Sequence, residues 1–61
     1  MLTPVQPCRA LYDYQATSGD ELSFAEGQSL PVVDKSDADW WKVEQDGAIL
    51  LVPAAYVEVI G

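Results

Sequence analysis

A chain of 61 residues with one cysteine, Cys8, and no histidine has nothing with which to staple itself together. No internal disulfide can form, and a lone thiol cannot build a zinc site. A chain this short buries only about 60% of its unfolded surface, which allows one thin core and one domain at most. Folds of this size lean on metals, disulfides or very efficient packing, and here only packing is left. The sequence therefore implies neither metal nor cofactor.

The pattern of apolar residues says what that packing looks like. Apolar positions rarely recur at three- and four-residue spacing, and Gly and Pro punctuate often, so no helix is expected. Strand signals are better. Cys8-Arg9-Ala10, Leu22-Ser23-Phe24 and Leu30-Pro31-Val32 alternate, with Pro31 marking a position where no ladder N–H is needed. Trp40 to Glu44 is aromatic and β-branched, Ile49 to Val52 is apolar, and Tyr56 to Ile60 forms the last signal. Asp46-Gly47 reads as a two-residue hairpin turn, and Gly27 after Glu26 as another tight turn. Five or six short strands with polar turns predict a small all-β barrel or sandwich. Its expected core is Ala10, Ala16, Leu22, Phe24, Leu30, Val32, Val43, Val52 and Val57, with Cys8 as a small buried hydrophobe. Residues 1–7, with Pro4 and Pro7, read as an extended lead-in or an expression remnant.

Charge narrows the function classes. Ten acids against three bases give a net charge of −7, which argues against nucleic acid and anionic lipid as partners. It suits a basic partner, and equally a surface charged for solubility. The longest apolar run, Ala48 to Ala55, is short and interrupted by Pro53, so no membrane insertion is expected. Met1-Leu2-Thr3-Pro4 shows no basic region followed by a long apolar stretch, so no signal peptide is expected there, and a lone thiol fits a reducing, cytoplasmic setting.

The aromatic residues exceed what a thin core can take. Phe24 belongs inside; Tyr12, Tyr14, Trp40, Trp41 and Tyr56 remain. Tyr12 and Tyr14 share a face on an extended segment, whereas the adjacent Trp40 and Trp41 cannot. Grouped exposed aromatics mark a binding surface, since each offers a flat apolar body and a polar tip. Trp41 is read as a satellite of the core. For Tyr12, Tyr14, Trp40 and Tyr56 both readings stand, and the residues alone do not choose between them.

Three segments resemble the Src-homology-3 family: Ala10-Leu11-Tyr12-Asp13-Tyr14; then Asp20-Glu21-Leu22-Ser23-Phe24 followed by Glu26-Gly27; then Trp40-Trp41-Lys42 followed, after a hairpin, by Val52-Pro53-Ala54-Ala55-Tyr56-Val57. Their order and spacing span residues 8–59. The resemblance implies a five-stranded barrel of two orthogonal antiparallel sheets with a short 3₁₀ turn at Pro53 to Tyr56, occupying residues 8–60. It also implies a module that binds Pro-x-x-Pro peptides carrying Arg or Lys. Such a ligand is a polyproline II helix with three residues per turn, so both prolines lie on one side.

Carried onto this chain, the resemblance assigns Tyr12 and Tyr56 to a first slot. Tyr14, Trp40 and Pro53 frame a second, with Tyr56 between the two. Trp40 and Leu51 border a specificity pocket, where Glu21, aided by Asp20, Asp37 and Asp39, faces the ligand's basic residue. The family often has Gly where Leu50 stands, so β-structure there is expected to sit differently or to need a compensating change. It often has Asn where Ala55 stands, which removes one ligand hydrogen bond, a net loss of about 0.5–1.5 kcal/mol. These departures support an alternative: an interaction domain that binds a folded partner or a segment of its own chain. An enzyme is not expected, because paired acids such as Asp20-Glu21 lack a deep pocket, a His or a phosphate loop beside them. The isolated domain is expected to be a monomer.

Overall fold

The computed structural model describes residues 6–60 of the chain. Five strands follow one another: β1 (Gln6–Ala10), β2 (Ser29–Asp34), β3 (Trp40–Gln45), β4 (Ala48–Pro53) and β5 (Val57–Val59), with a 3₁₀ turn (Ala54–Tyr56) between the last two. All pairings are antiparallel, in the order β4-β3-β2-β1-β5. β4 and β5 lie at opposite ends of this order, so the barrel is not strictly closed. The register of β2 on β3 shifts between Val32 and Asp34. A bulge of this kind bends and twists a strand, which is how one ladder turns into two crossed sheets.

Local chemistry sets each boundary. Asp46 has φ of 52° and Gly47 of 84°, the pair of positive angles that a two-residue hairpin needs, and Gln45 pairs with Ala48 across it. Pro7 faces Pro31 across β1 and β2, so the two residues that cannot donate meet where no bond is exchanged. Pro31 also precedes the first β2 residue paired with β3, Val32, so neither ladder loses a bond. β1 begins two residues before the expected strand and takes in Gln6 and Pro7. Met1 to Val5 of the expected lead-in lie outside the described residues.

The core is Cys8, Ala10, Leu30, Val32, Val43, Val52 and Val57, on the inward-facing side of the pleat, with Phe24 added from the first loop. Burial pushes the Cys8 thiol up, as befits a packed hydrophobe rather than a reactive group. Trp41 and Leu50 pack on the core from its margin. Leu50 keeps register with Val43, and Asp46 is the one non-glycine with positive φ among the described residues. Leu50 is thus a paired β4 residue that packs against the margin of the core.

Three expectations change. Ala16 and Leu22 are half-buried rather than buried. Leu22-Ser23-Phe24 forms no ladder of its own; it is held by isolated bridges, Tyr14 to Phe24 and Glu21 to Leu51. Both residues belong to the long first loop, which crosses the sheet on a few bonds and leaves one side of each open to water. Tyr56 lies in the 3₁₀ turn, as the resemblance implied, and not in the last strand as the apolar pattern suggested, while Pro53 ends β4 rather than opening the turn.

Candidate functional site

The loop between β1 and β2 carries Tyr12 and Tyr14, and two features hold it folded back. Tyr14 and Phe24 exchange backbone bonds of 2.9 and 3.0 Å, and Asp13 Oδ1 accepts from the Glu26 amide at 2.7 Å. The Leu11 amide donates to the Tyr56 carbonyl at 2.7 Å, which ties the Ala10-to-Tyr14 segment to the 3₁₀ turn. Three tyrosines from two distant segments meet as a result. The Tyr12 and Tyr56 rings lie 5.6 Å apart at 78°, and Tyr14 and Tyr56 lie 5.4 Å apart at 73°. Both are edge-to-face contacts of the kind aromatic pairs favour. Tyr14 also stacks on the buried Phe24, with centroids 5.5 Å apart at 28°. Tyr14 is half-buried, whereas Tyr12 and Tyr56 are 57% and 37% exposed. A large exposed aromatic held in a fixed cluster offers contact area without ordering cost.

Trp40 opens β3 and pairs with Pro53, the last residue of β4. Directly paired residues share a face of the sheet. Trp40 and Pro53 are half-buried, and the 3₁₀ turn that carries Tyr56 starts immediately after Pro53.

The acids flank this end of β4 on both sides. The Leu51 amide donates to the Asp20 carbonyl at 2.8 Å, and the Leu22 amide to the Leu51 carbonyl at 3.0 Å. The Ala54 amide donates to the Asp39 carbonyl at 2.9 Å. Residues Leu51 to Ala54 are thereby stitched to both acid-bearing loops. Asp37 has a further part that composition does not reveal: its Oδ1 accepts from the Asp39 and Trp40 amides at 2.8 and 3.1 Å. It caps the entry to β3 and so positions Trp40, a common use of Asp in turns.

Glu21 is the most heavily bonded side chain. It accepts from the Tyr14 hydroxyl, from the Thr17 amide and hydroxyl at 3.2 Å, and from the Ser18 hydroxyl at 3.1 Å. The Tyr14 hydroxyl is the largest cause, followed by the Thr17 amide, of a carboxyl held below its ordinary range. The same bond, then desolvation and the Glu21 charge, push the Tyr14 hydroxyl up. The acid read as facing a ligand cation is also the organiser of its own loop. Thr17 and Ser18, four and three residues before an acid, were the available signal for this role.

All three bases are engaged. Arg9 meets Glu58 at 2.7 Å across β1 and β5, Lys42 lies 4.0 Å from its register partner Asp34, and Lys35 sits 5.2 Å from the Trp41 ring centre. Among the described residues no group of His, Cys, Asp and Glu could hold a metal ion, and no helix is long and apolar enough to cross a membrane.

A family model described as the SH3 domain matches residues 9–54. The chain belongs to the SH3 domain family. Solved SH3 structures agree in fold. The SH3 domain of an Acanthamoeba myosin I, bound to Acan125, is 47% identical with a TM-score of 0.83, over 93% of this chain and 98% of that one. The C-terminal SH3 domain of myosin IB from Entamoeba histolytica, bound to an EhFP10(GEF) peptide, is 34% identical with a TM-score of 0.82, over 97% and 98%. Curated relatives include the myosin IC heavy chain of Acanthamoeba castellanii, 47% identical over 90% of this chain, and intersectin-1 of Mus musculus, 46% identical over 93%. The chain spans 5% and 4% of the length of these two relatives. As a member of the SH3 family it is a protein-interaction domain of the kind that larger proteins carry.

Proposed function

We propose that this SH3 domain binds proline-rich Pro-x-x-Pro peptides carrying Arg or Lys, and does no chemistry of its own. The observation that carries the reading is the aromatic cluster. Tyr12 and Tyr56 stand edge to face and exposed, with Tyr14 behind them and the Trp40–Pro53 pair at the start of the same 3₁₀ turn. In this reading Tyr12 and Tyr56 wall one slot and Tyr14, Trp40 and Pro53 the next, each taking one xaa-Pro pair. A polyproline II segment is already extended, so docking costs little chain entropy. That two related SH3 structures hold Acan125 and an EhFP10(GEF) peptide supports a peptide as ligand.

Asp20, Glu21, Asp37 and Asp39 supply the field for the basic residue, with Trp40 and Leu51 bordering its pocket. Exposed ion pairs contribute only about 0.2–1 kcal/mol each, so the acids speed encounter and set peptide direction, while the slots hold the complex. A small, shallow contact gives weak, rapidly exchanging binding. Leu50, which spoke for a different use of the surface, is accommodated without disturbing β4. Residues 8–60 form the module, to which β1 adds Gln6 and Pro7. It acts as a monomer within a larger cytoplasmic protein concerned with signalling, endocytosis or actin, as the myosin and intersectin relatives suggest.

Titration with an Arg-bearing Pro-x-x-Pro peptide, followed by amide chemical shifts, tests this. Saturating shifts are expected at Tyr12, Trp40, Ala54 and Tyr56. Shifts confined to β1, β5 and the Asp46-Gly47 turn would overturn the reading.

A further inference from the structure

In the groove as proposed, the ligand passes Tyr56, then Pro53, then Leu51, so it travels backwards along β4. The next residue on that face is Ile49. Pro53, Leu51 and Ile49 pair with Trp40, Lys42 and Glu44, while Val52 and Leu50 between them turn to the core. Ile49 is 54% exposed, more than Tyr56, although it is an aliphatic residue paired within a strand, one position in from its start. The edge of β4 points the same way. Leu51 spends its amide on the Asp20 carbonyl and its carbonyl on the Leu22 amide, both in the first loop, so it does not bond Lys42 across the ladder. Alternation gives Ile49 the same orientation: its main-chain groups face outward too. No loop residue bonds them among the described residues. Beyond the pocket the strand therefore presents an open apolar side chain beside an open amide and carbonyl.

We propose that Ile49 is a further specificity position, which takes one large apolar side chain from the flank of the proline-rich ligand, beyond its basic residue. The proposal rests on the groove reading above. Spacing fixes the position. Same-face residues on a strand are about 6.8 Å apart, and a polyproline II chain advances about 3.1 Å per residue. The apolar residue therefore falls two positions past the one lying against Leu51. Glu44, directly opposite Ile49, and Asp46 in the adjoining turn disfavour an acidic flank. The flank is thus apolar at this position and free of Asp and Glu.

The test uses two Pro-x-x-Pro peptides that differ only in carrying Leu or Ser two positions beyond an Arg. Each is made with the Arg before and after the prolines. In the better orientation, the Leu peptide is expected to bind about three- to tenfold more tightly, the gain from partly burying one aliphatic side chain. That difference is expected to vanish in Ile49→Thr, which keeps a β-branched strand residue and removes the apolar end. Binding of both peptides with equal affinity overturns this proposal and leaves the groove intact. Failure of both to bind overturns the groove and this proposal together. Self-association that Ile49→Thr abolishes would give the strip to a second copy of the chain and overturn the proposal as well.

Discussion

Tyr14 donates its hydroxyl to the Glu21 carboxylate across the first loop, which joins the aromatic cluster to the acid of the proposed specificity pocket through one bond. Thr17 and Ser18 complete the arrangement from the loop between them. A side chain that stacks on core residue Phe24 thus sets the position of the loop's central charge.

The first prediction follows from the sign of that coupling. The folded Glu21 carboxyl lies below its ordinary range, so its contribution to stability is present above the unfolded carboxyl pKa and is lost as pH falls through the folded value. Tyr14→Phe removes the largest cause. The Glu21 carboxyl should then titrate closer to the ordinary value near 4.3, and the decline of unfolding midpoint in acid should flatten. Side-chain carboxyl NMR and denaturation at several pH values read both. An unchanged Glu21 titration would show that the bond does not govern the charge.

Leu30 is fully buried at the centre of a core that no internal disulfide supports. Leu30→Ala should cost about 2–5 kcal/mol in urea unfolding. Chains of this length have roughly 3–9 kcal/mol in total, so a large unfolded fraction is expected at room temperature. A loss under about 1 kcal/mol would mean that the core can collapse around the gap.

Gly47 sits at φ of 84° with open space where a Cβ would stand. Gly47→Ala should therefore destabilise by about 1 kcal/mol through the backbone alone. Equal denaturation midpoints for the two proteins would remove the positive-φ turn from the account.

The acids beside the groove should act on the rate of encounter. Asp20→Asn with Asp39→Asn is expected to slow peptide association about threefold at low salt and to change dissociation little, with the difference shrinking above about 0.3 M salt. Stopped-flow fluorescence of the tryptophans separates the two rates. A change carried mainly by dissociation would make these acids direct contacts.

How much was legible in the residues depends on where each signal came from. The hairpin was readable at Asp46-Gly47 because only a few residue types tolerate positive φ, and the inward positions were readable because a strand has a period of two. The first loop was not. Ala16 and Leu22 look like core residues by type, but isolated bridges leave them half open. The aromatic surplus pointed to a surface, yet choosing Tyr12, Tyr14, Trp40 and Tyr56 required the resemblance, because the contact of Tyr12 and Tyr14 with Tyr56 spans most of the chain. The double use of Asp37 and Glu21, as charges and as acceptors for their own loops, depends on side-chain geometry that no spacing rule encodes.

The central claim is that the face around Trp40 grips proline-rich peptide, and one substitution tests it most directly. Trp40 is half-buried at the edge of β3, outside the core cluster, so removing it should leave the fold standing. Calorimetric titration of Trp40→Ala with an Arg-bearing Pro-x-x-Pro peptide, beside a urea unfolding curve, is the measurement. A loss of about 2 kcal/mol or more in binding, with unfolding changed by less than about 1 kcal/mol, is the predicted result. Affinity equal to that of the unsubstituted domain, in a protein that is still folded, would contradict it.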